Sequence, residues 1–323
     1  MTNKVLVLVE TPFQLLCAYE YLRNSSADFS LYIRKSGVGS NDQQMSAMVK
    51  DLGLQVTKEL LVRPDKRIDY IRAVLSFLLS NFHCYDKVVL GSFFSGFQRL
   101  LSSIVLKEEI VLLDDGVATL LADKIISERG GKYSVFSIFD LNKDNYISCE
   151  LNRFDSIAGE YDCEKNEEYA VFFIGQKLVD IGAMDITAYV QTLEFVVKES
   201  LGSIVHYIPH RAEGSEWLEV IKNIKGLRLL HADVAVEYFM LRNKWCPQKI
   251  YSVNSTALFT LASLFPDARA VAIIPSTLKT QMFVHHDLIM ESFEKHKTIE
   301  IIMSPDFFDT RVDVCDGISL LCE

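Results

Sequence analysis

The chain has 323 residues and a mass of 36.7 kDa, with 49% hydrophobic and 24% charged residues, which is the composition of a globular protein with a sizeable core. A net charge of −10 argues against a general nucleic-acid binder, although a local basic patch for a membrane surface remains open. No apolar run approaches the ~20 residues of a membrane-spanning helix. The apolar run at residues 4–9 is too short for a signal peptide, so we expect a cytoplasmic protein. From the length of the chain, we expect two domains.

Short β-rich runs alternate with helical segments along the whole chain, a pattern typical of a parallel α/β fold. In the first half, Thr11 followed by Pro12 predicts the start of a helix, because threonine caps free N–H groups and proline suits the first helical position. The predicted strands of this half are residues 4–9, 29–33, 87–90 and 109–113, and the other predicted helices are 42–52, 67–82 and 94–106.

A polar, acidic segment at residues 152–168 is the best candidate for a linker. The predicted strands after it are residues 170–174, 203–208, 227–230, 249–253 and 270–274, and the predicted helices are 185–200, 214–223, 233–243 and 256–265. The sequence therefore predicts an α/β protein with two Rossmann-like domains, residues 1–158 and 159–323, that face an interdomain cleft. Ligands of such sheets bind beyond the carboxyl ends of the strands.

The triplet Asp114-Asp115-Gly116 follows an apolar, strand-like run. Adjacent residues at a strand end point to opposite sides, so we expect one carboxylate to face the cleft and the other to brace the turn. A carboxylate in the cleft can accept the proton of an attacking hydroxyl, and Gly116 permits a close approach of backbone or a positive φ. A plain N-terminal cap of the following helix explains the triplet equally well.

His210 follows a predicted strand and lies between a proline and Arg211. An imidazolium is a suitable acid for a phosphate leaving group, and the guanidinium of Arg211 adds a second cation for the same anion. Most single histidines are structural, but only His210 among the seven has this strand-then-proline context. We therefore predict a role in the site for His210 and a structural role for His206.

Asn254-Ser255-Thr256 stands between a predicted strand and a predicted helix. Free backbone N–H groups and the helix dipole favour an anion there, so the triplet is a natural phosphate site, and ordinary helix capping is a compatible alternative. Glu237 lies one helix earlier, where a carboxylate can accept hydrogen bonds from a ribose diol. From the residues alone, a solvent-facing position explains Glu237 better.

Weaker candidates lie at other predicted strand ends. Gly175 and Gln176 close an apolar strand, and a glycine there permits a nucleotide to approach the backbone. Thr11, Pro12 and Gln14 begin the first helix above the sheet. They are candidates for contact with the donor or the acceptor substrate of a group-transfer reaction. Their shared placement at strand ends supports a common cleft.

Several well-defined motifs are absent from the sequence. The absence of GxxxxGK[ST], HExxH and GxSxG argues against a P-loop NTPase, a zinc protease and an α/β-hydrolase. The absence of DxD argues against a metal-dependent transferase of the single-Rossmann kind. Seven cysteines without a CxxC pair indicate reduced thiols rather than a metal site. We therefore expect neither a metal nor a cofactor.

In their order along the chain, these motifs resemble those of the bacterial sialyltransferases of the lipooligosaccharide type (glycosyltransferase family 52), with a looser likeness to bacterial polysialyltransferases. The pieces that match span most of the chain and are residues 9–16 (VETPFQLL), Asp114-Asp115-Gly116, residues 172–176 (FFIGQ), Pro209-His210-Arg211, the helix with Glu237 and residues 255–258 (STAL). Each piece is short, and the ordered set is moderately specific. One position departs from the family pattern, since Arg211 follows His210 where the family usually has proline.

The resemblance implies a GT-B fold with the active site between the two domains, CMP-sialic acid as donor, and no metal. It implies that Asp115 or Asp114 is the general base on the acceptor hydroxyl, without deciding between them, and that His210 assists departure of the CMP phosphate. Attack from the opposite face would invert the anomeric centre. The residues implied on the donor side are Gly175, Gln176, Arg211, Glu237, Asn254, Ser255 and Thr256, and those on the acceptor side or in the cleft are Thr11, Pro12, Gln14 and Gly116.

The function implied is transfer of sialic acid to a terminal galactoside of a bacterial surface glycan, either lipooligosaccharide or capsule. Peripheral attachment to the inner face of the inner membrane and a homodimer remain open, and no nucleic-acid partner is expected. Two alternatives also remain: a GT-B transferase with another nucleotide sugar, and a non-catalytic partner in surface-glycan assembly.

Overall fold

The computed structural model describes residues 3–37, 39–81, 84–282 and 286–304, which form two parallel β-sheets. The strands of the first sheet are β1 (Lys4–Val9), β2 (Asp28–Lys35), β3 (Lys58–Leu61), β4 (Cys84–Leu90), β5 (Leu106–Leu113), β6 (Ser134–Ser137) and β7 (Cys149–Leu151). The strands of the second sheet are β8 (Val171–Ile174), β9 (Val205–Ile208), β10 (Leu227–Leu229), β11 (Lys249–Ser252), β12 (Arg269–Pro275) and β13 (Ile299–Ser304).

The order of the strands places a crevice in each sheet. The orders are β3-β2-β1-β4-β5-β6-β7 and β10-β9-β8-β11-β12-β13, so the direction of winding reverses between β1 and β4 and between β8 and β11. The register pairs Leu8 with Leu90 in the first of these and Ser252 with Ile174 in the second. Ligands of open α/β sheets bind at the carboxyl ends of such strand pairs.

Helices cover the faces of both sheets. They are α1 (Pro12–Arg23), α2 (Gly39–Asp51), α3 (Arg67–Ser80), α4 (Gly96–Ile104), α5 (Val117–Arg129), α6 (Asp155–Gly159), α7 (Ile186–Glu199), α8 (Ser215–Ile221), α9 (Val236–Arg242), α10 (Ala257–Leu264) and α11 (His286–Lys295). The start of α1 is confirmed, since Thr11 Oγ1 accepts a hydrogen bond from Gln14 N (3.2 Å) and Pro12 is the first helical residue. None of the helices in the described part of the chain is long and apolar enough to cross a membrane.

The apolar core runs without interruption from one sheet to the other. Its larger cluster extends from β1 and β5 through Phe139 to α9, α10 and one face of the second sheet, and a smaller cluster covers the opposite face of that sheet. The rings of Phe139 and Phe259 meet edge to face, with centroids 5.1 Å apart. Burial of apolar surface therefore holds the two sheets together.

Some elements differ from the sequence-based prediction. The patterns do not predict β3, β6, β7, α6, α11 or β13. The segment predicted as a linker, residues 152–168, contains the five-residue helix α6, which is attached to α1. The Glu20 carboxylate accepts hydrogen bonds from Ser156 N (2.8 Å) and Ile157 N (2.9 Å) at the start of α6. A domain division at residues 158 and 159 stays a prediction.

Candidate active site

A cavity of about 410 Å³ opens between the two sheets at the carboxyl ends of their strands. It adjoins the strand ends β1, β5, β8, β9 and β11, where parallel α/β sheets bind their ligands. The predicted site residues that line it are Thr11, Pro12, Asp115, Gly116, Gly175, Gln176, His210, Arg211, Glu237, Ser255 and Thr256. Asp114, Gln14 and Asn254 are buried and lie outside this lining.

Asp115 is the aspartate of the pair that lines the cavity. Its Oδ1 accepts a hydrogen bond from Gln14 Nε2 (2.8 Å), and its backbone N–H donates to Thr119 Oγ1 (2.8 Å). Burial raises the pKa of the Asp115 carboxyl, and hydrogen bonds from Ser92 and Gln14 act in the opposite direction. A fixed carboxylate with a raised pKa has the properties of a general base for a hydroxyl.

Asp114 is fully buried and links the ends of two neighbouring strands. Its carboxylate accepts hydrogen bonds from Ser137 Oγ (2.6 Å) and from Ile138 N (2.8 Å), at the end of β6. Burial raises the pKa of Asp114 to about 7, against the opposing effect of these two hydrogen bonds. The surroundings of Asp114 are therefore those of a structural residue, whereas Asp115 lines the cavity.

Gln14 lies behind Asp115 and fixes its orientation. Gln14 Oε1 accepts hydrogen bonds from Glu10 N (2.9 Å) and from Gln98 Nε2 (3.3 Å), so its Nε2 is directed at the Asp115 carboxylate. A side chain at Gly91 would collide with the Gln14 amide, which explains the glycine at the end of β4. The residue therefore acts on the site through Asp115.

His210 is half-buried in the wall opposite. Its Nδ1 accepts a hydrogen bond from Ala212 N (3.1 Å), which leaves the proton of the neutral ring on Nε2. Burial lowers the pKa of His210 to about 4, and the nearby charges of Arg211 and Lys177 lower it further, against Asp180. The sequence suggested an imidazolium here, whereas these surroundings favour a neutral ring that donates from Nε2.

The Glu213 carboxylate fixes the backbone of His210 through a hydrogen bond. One carboxylate oxygen accepts from His210 N (3.0 Å) and the other from Tyr207 OH (2.5 Å), which also contacts Tyr189 OH (2.9 Å). Burial raises the pKa of Glu213 to about 7. A side chain at Gly175 would collide with Tyr207 and Glu213, so this glycine makes room for the group that positions His210.

Glu237 and Arg211 bring opposite charges to the same cavity. Glu237 is buried in the first turn of α9, where burial raises its pKa to about 7 and the charge of Arg211 acts against that rise. Arg211 itself is exposed. The solvent-facing position that the residues alone favoured for Glu237 is wrong, because its carboxyl is enclosed at the site.

The start of α10 faces the first sheet. Asn254 adopts the left-handed conformation at φ 49°, and its carbonyl accepts from Gln176 Nε2 (3.2 Å). Ser255 Oγ accepts from Ala257 N (3.3 Å), while the Thr256 side chain caps no N–H group of the helix. A Cβ at Gly116 would lie 3.0 Å from Thr256 Oγ1, so the two sheets meet closely here. The N-terminal end of α10, where the helix dipole is positive, therefore lies beside Gly116 and Asp115.

Several lining residues carried no sequence signal. Gln44 joins the cavity from α2 and donates from Nε2 to Ala232 O (3.2 Å), 188 residues later in the chain. Phe13 and Val234 are apolar residues whose place in the wall only the fold determines. Glu213, in contrast, could have been found from the sequence, because an acid three residues after His210 can accept a hydrogen bond from the His210 backbone. In the described part of the chain, no group of three or more His, Cys, Asp or Glu residues could hold a metal ion.

No protein-family model and no curated protein matches this sequence, but solved structures match over nearly the whole chain. One is the UDP-GlcNAc 2-epimerase of Methanocaldococcus jannaschii in complex with UDP-GlcNAc and UDP, with a TM-score of 0.57, 10% identity and coverage of 93% of this chain and 89% of that chain. Another structure of this epimerase gives a TM-score of 0.51, 11% identity and coverage of 91% and 94%. The E. coli heptosyltransferase WaaC with ADP matches with a TM-score of 0.49 and 10% identity, over 94% of this chain and 93% of that chain.

The chain forms two parallel Rossmann-like sheets with a cleft between them, and a solved structure matches this arrangement along nearly its full length. These two observations decide the fold. The chain has the GT-B fold. Because only about a tenth of the residues are identical, the likeness establishes the GT-B architecture alone. It assigns no donor to the cavity.

Proposed function

We propose that this chain is an inverting glycosyltransferase that moves sialic acid from CMP-sialic acid to a terminal galactoside of a bacterial surface glycan. The observation that carries the proposal is the shared cavity, which unites Asp115 of the first sheet with His210, Glu237 and the start of α10 of the second. A base for an acceptor and a cradle for a phosphate in one cavity fit group transfer from a nucleotide sugar. The choice of sialic acid rests on the resemblance of the motifs.

In the proposed reaction, the acceptor hydroxyl oxygen forms a bond to the anomeric carbon while its proton passes to Asp115. The bond from the anomeric carbon to the phosphate oxygen breaks, and the nucleotide leaves with the electron pair. His210 stabilises the departing phosphate by donating from Nε2, and the N–H groups at Ser255 and Thr256 bind the same anion. Attack from the face opposite the nucleotide inverts the anomeric centre.

The remaining contacts follow from this arrangement. Glu237 accepts hydrogen bonds from the ribose diol, and Arg211 adds a positive charge near the phosphate. Gly175 and Gln176 lie beside the nucleotide, with Asn254 fixing the loop behind them through its carbonyl. Residues 159–323 form the donor side and residues 1–158 the acceptor side, where Thr11, Pro12, Gln14 and Gly116 surround the base.

Turnover of CMP-sialic acid tests the proposal. The purified chain, given CMP-sialic acid and a galactoside acceptor, is expected to release CMP and to form a sialylated product in equal amounts. Release must depend on the acceptor. A panel of UDP- and ADP-sugars under the same conditions distinguishes the alternative donors, and turnover of one of these alone would contradict the choice of sialic acid.

An epimerase of a nucleotide sugar is a second candidate, favoured by the likeness to the UDP-GlcNAc 2-epimerase at a TM-score of 0.57. An epimerase converts its sugar nucleotide without an acceptor, so proton exchange at the sugar of UDP-GlcNAc separates the two reactions. A non-catalytic partner in glycan assembly would turn over none of these substrates. In that case a nucleotide would still raise the unfolding temperature if the cavity binds one.

A further inference from the structure

The outer face of α3 is apolar although it faces solvent. Five of its large side chains are between 36% and 75% exposed: Ile68, Ile71, Leu75, Leu78 and Leu79. Their spacing of three and four residues puts them on one stripe of the helix. Single exposed apolar residues are common on protein surfaces, but a continuous stripe of five marks an interaction surface.

Folding does not require this stripe, because the opposite face attaches α3 to the protein. Ala73 and Phe77 are buried there, and Phe77 meets Tyr32 of β2 edge to face with centroids 5.0 Å apart. Tyr70 meets Phe97 of α4 in the same way at 5.4 Å. The helix is therefore fixed by one face and presents a second apolar face outward.

Cations border the stripe on both sides. Arg67 and Arg72 lie on opposite edges of it, Lys66 precedes it, and all three are exposed without an ion pair to any described residue. The acid of the helix, Asp69, is on the buried face and is paired with Arg63 (2.5 Å). Even with the exposed Asp65 before Lys66 counted, the cations leave a local surplus of positive charge in a chain with a net charge of −10.

We propose that α3 is a docking helix for the surface of a bilayer with anionic lipids. An apolar stripe bordered by arginines is the pattern of helices that lie in the interface plane, with side chains in the acyl boundary and cations at the headgroups. A second copy of the chain would bring the same three cations with only one exposed acid, Asp65, beside them, so like charges would face each other. Anionic headgroups complement both the apolar and the charged parts of the surface.

The direction of the strands places the start of α3 at the same edge of the first sheet as the cavity. β3 runs in parallel with the strands that end at the cavity, and α3 follows the carboxyl end of β3. The first turn of α3 therefore lies toward the cavity side of the first sheet. Docking of this helix would hold the acceptor side near the membrane surface. The proposal does not depend on the transferase activity, because binding to lipid is measured without substrate.

Sedimentation with vesicles tests the docking helix. The full chain is expected to sediment with vesicles of phosphatidylglycerol and phosphatidylcholine in equal parts, and to remain in solution with phosphatidylcholine alone. Leu75→Ser with Leu79→Ser should weaken binding by at least about tenfold, since two apolar side chains no longer enter the bilayer. Arg67→Gln with Arg72→Gln should weaken it by about tenfold as well, because each arginine contributes to attraction by anionic lipid.

The matched control removes equally exposed leucines elsewhere. Leu106 and Leu201 are 72% and 89% exposed, and Leu106→Ser with Leu201→Ser should bind vesicles as the wild type does. Circular dichroism confirms that each variant is folded. The proposal is overturned if the wild type does not sediment with anionic vesicles. It is overturned as well if the control loses as much binding as Leu75→Ser with Leu79→Ser. It is also overturned if light scattering finds a dimer that Leu75→Ser with Leu79→Ser dissociates, which would make α3 a self-association surface.

Discussion

Asp114 and Asp115 are adjacent in sequence and have different surroundings. The alternation of side chains at a strand end predicts that one carboxylate faces the cavity. Which one does so depends on Ser137 and Ile138, which bind Asp114 from the neighbouring strand. A single sequence does not show that β6 lies there, because β6 has only four residues and no clear alternation. The choice between the two aspartates therefore needed the structure.

Asp114→Asn is expected to reduce stability while leaving nucleotide binding in place. An amide has one oxygen, so either Ser137 or Ile138 loses its acceptor in a buried setting. The free energy of unfolding in urea should fall by about 1–3 kcal/mol. An unchanged stability together with loss of transfer would instead give Asp114 a direct part in the chemistry.

Glu213 is expected to act on the reaction through His210. In Glu213→Ala the backbone N–H of His210 and the hydroxyl of Tyr207 lose their shared acceptor, and initial rates of transfer should fall by roughly 10- to 100-fold through misplacement of the ring. Glu213→Gln keeps one oxygen as acceptor and should recover most of the rate. If Gln and Ala variants are equally slow, the positioning role of this hydrogen bond is wrong.

Glu237 should make stability depend on pH. Burial raises its pKa from 4.5 to about 7, so the folded state holds this proton more tightly than the unfolded chain does. The contribution to stability is present below about pH 4.5 and is lost as the pH rises through 7. Glu237→Gln removes this loss. Relative to the wild type, its free energy of unfolding should therefore rise by on the order of 2–3 kcal/mol between pH 4.5 and pH 8. A difference independent of pH would contradict the raised pKa.

Among the elements, α5 begins where Asp115 and Gly116 approach the second sheet. It is bounded by Gly116 at φ 63° and Gly130 at φ 74°, both in the region that favours glycine. A Cβ at Gly116 would lie 3.0 Å from Thr256 Oγ1, whereas a Cβ at Gly130 would have no neighbour within 4 Å. The two glycines therefore share backbone strain and differ in what surrounds them.

Gly116→Ala and Gly130→Ala form a matched pair. Both should lower the free energy of unfolding by about 1–2 kcal/mol, because alanine is strained at positive φ. Only Gly116→Ala should also weaken nucleotide binding, since its methyl group presses on Thr256 at the proposed phosphate site. Urea unfolding and the nucleotide-dependent rise in unfolding temperature measure the two effects. Equal binding by both variants would show that Gly116 serves the backbone alone.

Most long elements were predictable from local patterns. The apolar run of β1 and the Thr11-Pro12 start of α1 both lie where the sequence places them. Some of the failures are short or covered by polar composition: β7 has three residues, and α6 lies in the acidic segment that resembled a linker. Such elements are stabilised by distant partners, as α6 is by Glu20, and a local pattern does not contain these partners. Two other failures, α11 and β13, are of ordinary length, with ten and six residues.

In the whole molecule, the larger apolar cluster extends across both sheets, and the cavity opens between the sheets at the carboxyl ends of their strands. Tyr161 OH donates to Tyr238 OH (3.0 Å), and the Arg242 guanidinium pairs with Asp51 (2.9 Å) across the chain. The sequence predicted the cleft from the common placement of candidates at strand ends. It did not predict the contacts that close the cleft, because they join residues far apart along the chain.

We propose that Asp115 deprotonates an acceptor in a cavity that binds a nucleotide sugar. The most direct test is the initial rate of acceptor-dependent nucleotide release by Asp115→Asn, with the rise in unfolding temperature by the nucleotide as evidence of an intact cavity. We expect a loss of about 10²- to 10⁴-fold in rate at unchanged nucleotide binding, because this is the contribution of a general base. A rate equal to that of the wild type would contradict it.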